Sequence, residues 1–192
     1  MRIIKLFGVF LIFTLLLGCK KDEKSYCKII PINADSSKII WGNSRIKNEQ
    51  ILNNFLLNKN KLKIRWSNKR FIISQIGTGS AAWINLILPL ENNSKIIETD
   101  ELIAFDSKND LIVRYNYNSD NYPIEIKNLF TKKIDSFKIN LKKCESSNLT
   151  YCIDNVYFKN DSINLIWKTP YTFSKDKITT EKISFNLNHV LN

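Results

Sequence analysis

Short runs of β-forming residues return about every ten residues through most of the chain, each pair parted by a polar, turn-forming stretch. Leu102–Phe105 and Leu111–Tyr115 flank Asp106–Ser107–Lys108–Asn109–Asp110. Ile124–Ile126 and Ser136–Leu141 enclose Asn128 to Lys133. Val156–Phe158 and Ile163–Trp167 meet across Lys159–Asn160–Asp161–Ser162, and Ile183–Leu187 closes the series. Strands this close in sequence can pair with their neighbours only as antiparallel hairpins. The rhythm predicts a mainly β fold: an antiparallel meander, a curved sheet or a sandwich.

The first half fits the same frame. Lys38–Trp41 reads as a short strand. Lys61 to Trp66 alternates basic and apolar residues, so strand geometry predicts Lys61, Lys63 and Arg65 on one face and Leu62, Ile64 and Trp66 on the other. Phe71–Ile76 and Ala82–Leu88 are more continuously apolar, as central strands are, with Gly77–Thr78–Gly79–Ser80 joining them. The tryptophans Trp41, Trp66, Trp83 and Trp167 have apolar neighbours and are expected in the core, although an exposed row of aromatics could stack on sugar rings. One stretch departs from period two. Asn48 to Leu57 places Ile51, Leu52, Phe55 and Leu56 at helical spacing behind a capping asparagine, and predicts the one short helix.

The N-terminus is organised differently. Arg2 and Lys5 precede an apolar run of about a dozen residues, short of the ~20 that cross a bilayer as a helix. Leu16–Leu17–Gly18–Cys19 follows. These four residues resemble the lipobox of bacterial lipoproteins. The resemblance implies removal of residues 1–18, diacylation of the Cys19 thiol and usually acylation of the new amino group. Anchoring through more than one chain is stable at ~0.8 kcal/mol per buried methylene. Lys21–Asp22–Glu23 then resembles the lysine–acid–acid export signal of surface-exposed lipoproteins in one large Gram-negative group. It implies an outer-membrane location, lipid-anchored and facing outward. A charged tether is also what any solvated linker looks like. The expected organisation is a signal peptide over 1–18, a lipidated, irregular tether over 19–37 and a single β-rich domain over 38–192.

Two further resemblances cover parts of the remaining chain. Gly77, Gly79, Trp83, Leu88 and Pro89 resemble a Gly–x–Gly turn and Trp strand of small uncharacterised lipoproteins, which implies no activity. Leu102 to Leu141 resembles the hairpin rhythm of propeller blades, in a chain too short for a usual propeller and with no clear repeat. Asparagine-rich clusters are set aside as a composition bias.

Chemistry is sparse. Ser80 lies outside a nucleophile elbow, and His189 is the single histidine, near the C-terminus, so no triad or zinc site is expected. Glu98, Asp100, Glu101, Asp106 and Asp110 could hold calcium or pair as acids. Yet Lys108 stands where a calcium loop wants oxygen, and acids at hairpin turns are usually turn-formers. The reading is of a non-enzyme, with no cofactor and no metal. Besides Cys19 there are Cys27, Cys144 and Cys152. An oxidising envelope permits a disulfide, and Cys144 with Cys152 would close a short loop; Cys27 tied to either is the alternative.

The formal net charge is +11, and losing Arg2 and Lys5 lowers it only by two. A basic chain can meet nucleic acid, anionic lipid or acidic sugar. An envelope location argues against nucleic acid. Lys61, Lys63, Arg65, Lys69 and Arg70 form a candidate anion-binding patch in a stretch without acids. Lysines that guard an edge strand against aggregation are the plainer account. The expectation is a non-catalytic lipoprotein, joined to the membrane by its lipid and binding an acidic glycan, envelope component or protein partner. The alternative is an immunity or inhibitor lipoprotein that neutralises a toxin or hydrolase.

Overall fold

A computed structural model of the chain describes residues 24–53, 62–77, 83–99, 102–119, 122–139, 149–169 and 179–191. Among the described residues, fourteen strands form four antiparallel sheets, each a meander of sequence neighbours. The first holds β1 (Tyr26–Pro31), β2 (Ser36–Gly42) and β3 (Lys47–Asn53). The second holds β4 (Leu62–Ser67), β5 (Phe71–Gly77), β6 (Trp83–Pro89) and β7 (Ile97–Thr99). The third holds β8 (Leu102–Asp106), β9 (Leu111–Tyr115), β10 (Ile124–Asn128) and β11 (Ile134–Phe137). The fourth holds β12 (Ile153–Lys159), β13 (Ser162–Thr169) and β14 (Thr179–Asn186), followed by the short helix α1 (Asn188–Leu191). The mainly antiparallel β architecture is as the hairpin rhythm predicts.

The sheets pack on one another in chain order. Ile39 and Trp41 of the first sheet meet Ile72, Ile76, Leu86 and Leu88 of the second. The other face of the second sheet, with Phe71, Ile73 and Ile87, meets Leu102, Phe105 and Ile112 of the third. Leu111, Val113, Ile124 and Ile126 then turn from the third sheet to Ile163, Leu165 and Trp167 of the fourth. Burial on both faces explains why β5 and β6 read as continuous apolar runs. Each fully buried Ile or Leu there contributes roughly 1.5–3 kcal/mol relative to exposure.

Three expectations are corrected. The segment expected as a helix opens with strand β3, and residues 54–57 lie outside the described residues. Two of its three inward positions are amides: Asn48 Nδ2 donates to the Glu91 carbonyl at 2.7 Å, and Gln50 Oε1 accepts from Ile96 N at 2.9 Å, while Leu52 packs on the first core. Ile51 points outward, 60% exposed, so the period of two is hidden from hydropathy. The tether expected to be irregular through residue 37 instead contains β1, which pairs with β2 along its whole length. Finally, β4 carries a bulge between Ile64 and Trp66. Ile64 lies opposite Ser74 but Trp66 opposite Ile73, so Leu62 and Trp66 serve different cores. The extra residue, Arg65, breaks the alternation that would line the cations on one face.

Candidate functional site

The hairpin turns β2–β3, β4–β5, β8–β9, β10–β11 and β12–β13 gather, with the β6–β7 loop and α1, along one rim of the stack. Side-chain amides build this rim. Asn43 Oδ1 accepts from Arg45 N and Ile46 N at 2.9 and 3.0 Å. Asn68 Oδ1 accepts from Arg70 N and Phe71 N, both at 2.8 Å. Asp106 Oδ1 accepts from Lys108 N, and Asn128 Oδ1 from Phe130 N and Thr131 N, each at 2.9 Å. Asn and Asp close turns this way because their short side chain mimics the backbone acceptor two residues on. Trp41–Gly42–Asn43–Ser44–Arg45–Ile46 and Trp66–Ser67–Asn68–Lys69–Arg70–Phe71 are two copies of one turn sequence. The asparagines set aside as composition are the signal that would have found this rim.

Polar side chains also join each sheet to the next here. Trp41 Nε1 donates to the Pro89 carbonyl at 2.9 Å. Asn68 Nδ2 donates to the Ser107 carbonyl at 2.8 Å and to Asp110 Oδ1 at 2.5 Å. Asn128 Nδ2 donates to the Val190 carbonyl at 3.2 Å. Asp110, fully buried and left-handed at φ 56°, pairs with Arg70, whose guanidinium lies 4.7 Å from the centre of the Phe130 ring.

This sorts the residues of the expected anion patch. Arg70 is committed to Asp110, and Lys69 is exposed beside it at the rim. Lys63 and Arg65 are exposed on β4, an edge strand of the second sheet. The Arg65 guanidinium stacks 4.1 Å from the Trp66 ring centre, and partial burial lowers its pKa below the ordinary value. Lys61 lies outside the described residues. What the structure brings together is different: Arg45, Lys69, Lys108, Lys132, Lys133 and Lys159 are exposed on rim turns of all four sheets. Lys132 Nζ also donates to the Leu129 carbonyl at 2.5 Å. Among acids of these turns, Asp106 is buried and hydrogen-bonded and Asp110 is ion-paired, while Glu91 and Asp161 are exposed; the six exposed cations outnumber these two, so the rim is basic on balance.

The remaining expected sites are distributed otherwise. Cys19, Lys21, Asp22, Glu23 and Cys144 lie outside the described residues, as do Ser80, Asp100 and Glu101. Cys152 is fully buried and disulfide-bonded. Cys27 is a free thiol on the inner side of β1; burial pushes it up to about 12, against the opposing effect of its hydrogen bond with Ser74. His189 is exposed on α1, 3.9 Å from Asp135. Among the described residues no three His, Cys, Asp or Glu side chains are grouped to hold a metal. The class defined by fold and site is an all-β stack of meander sheets with a basic rim. No protein-family model, curated protein or solved structure matches the chain.

Proposed function

We propose that the chain is a lipoprotein anchored through Cys19 in the outer membrane, facing outward, with a non-catalytic role of binding an anionic envelope component: an acidic glycan, another envelope constituent or a protein partner. The basic rim is the observation that carries this reading. Polar chemistry there is spent on closing turns and joining sheets, while the lysines stand outside those networks or at their tips. The lipobox and the Lys21–Asp22–Glu23 signal supply the location. In the same reading Cys144 is the partner of Cys152.

Binding of the mature chain to acidic polysaccharide and to anionic vesicles, at low and high salt, tests it. Each lysine near an anionic surface is worth about 1 kcal/mol. Changing Lys69, Lys108 and Lys133 to glutamine is therefore expected to weaken binding far more than changing Lys63 and Arg65. Equal effects from the two sets would return the basic surface to a solubility role.

A further inference from the structure

The chain enters the stack at the basic rim. β1 opens at Tyr26 opposite Gly42, and Gly42 leads directly into the β2–β3 turn that carries Arg45. From Cys19 to Lys24, where the described chain begins, five residues reach at most about 18 Å fully extended. An anchor at Cys19 therefore keeps this rim, where the chain enters the stack, near the bilayer. Sheets packed face to face lie about 10 Å apart, so four of them spread the rim over roughly 30 Å. A basic surface of that width, tethered that closely, lies within reach of headgroup phosphates. Phe130 supports the same placement. It is 60% exposed at the tip of the β10–β11 turn, with the Arg70 guanidinium against its ring. An aromatic ring beside cations suits the boundary between headgroups and acyl chains.

We propose that the rim rests on the phosphorylated headgroup layer of the membrane that carries the anchor, and so sets the orientation of the whole stack. This builds on the lipoprotein reading, and names headgroups as the anionic component. It directs the opposite rim, with the exposed Tyr117 and Tyr122, away from the membrane.

The test separates docking from lipidation. The mature chain, carrying an N-terminal hexahistidine tag in place of acyl groups, is bound to vesicles containing nickel-chelating lipid. One set is otherwise phosphatidylcholine, the other phosphatidylcholine with phosphatidylglycerol. A water-soluble amine reagent then labels exposed lysines, read by peptide mass spectrometry. Lys63 and Lys168, at strand ends away from the rim, are the references. Labelling of Lys69, Lys108 and Lys133 is expected to slow several-fold on the anionic vesicles alone, and to recover in high salt as charges are screened. Equal rates on both vesicles overturn the proposal. So does slowing on both, which would be shielding by the tether, or slowing only when a soluble acidic polysaccharide is added. Failure of lipidation is read separately, as a chain whose Cys19 takes up no fatty acid.

Discussion

Asp110, at the tip of the β8–β9 hairpin and with no exposed surface, forms an ion pair with Arg70 of the neighbouring sheet. Asn68 donates to its other oxygen at 2.5 Å. Breaking a buried pair costs ~3–5 kcal/mol, and the half-exposed Arg70 places this case near the low end. Asp110→Ala is expected to lower stability by about 3 kcal/mol in urea unfolding. Asp110→Asn keeps an acceptor and tolerates the left-handed backbone, so its loss is expected to be about 1 kcal/mol. A loss well under 1 kcal/mol in Asp110→Ala would mean that the carboxylate does not join the sheets.

Gly42 makes a second, steric prediction. A Cβ there would lie 1.8 Å from the Ile46 carbonyl oxygen and 2.8 Å from its carbon. Both are backbone, so no rotamer change relieves the clash. Gly42→Ala is expected to cost more than the 1–3 kcal/mol typical of overpacking, read as a fall in the urea midpoint. Ser67, which holds the equivalent place in the second copy of the turn sequence, is expected to accept alanine with little loss.

The Cys27 thiol predicts a pH dependence. Its native pKa is pushed up to about 12 from an ordinary 9. The folded state therefore holds the proton more tightly, and its contribution is complete below about pH 9. Stability falls as pH climbs from 9 toward 12, at up to ~1.36 kcal/mol per unit. Unfolding followed from pH 8 to 10.5 is expected to show this decline in the wild type and a shallower one in Cys27→Ala. Identical slopes would remove the thiol as the cause.

The buried Cys152 predicts a particular bridge. Peptide mapping without reductant is expected to recover Cys152 joined to Cys144, closing a short loop worth roughly 2–3 kcal/mol in the chain-entropy model. Recovery of Cys152 joined to Cys19 would contradict both this pairing and the lipid anchor.

Hydrophobic pattern made most of the strands legible, because β5, β6, β9 and β13 bury apolar side chains in one or two cores. It failed at β3, where Asn48 and Gln50 face inward to bond the next sheet's backbone and Ile51 faces solvent. It failed at β1, whose exposed Lys28 and Ile30 alternate with Cys27 and Ile29 packed inward. The rim was illegible for another reason. Lysines far apart in sequence meet only because five hairpins turn at the same end, and the asparagines that shape those turns resemble the chain's general richness in that residue. The continuous run from Lys61 to Arg70 was visible, but the bulge at Arg65 and the pairing of Arg70 divide it.

Acylation of Cys19 is the premise on which location, orientation and partner all rest. The direct measurement is metabolic labelling with a fatty-acid probe in a Gram-negative host, comparing the wild-type chain with Cys19→Ala. The wild type is expected to take up label and migrate as the processed form, and Cys19→Ala to remain unlabelled and uncleaved. A labelled Cys19→Ala chain, or an unlabelled wild type, would contradict the lipoprotein reading.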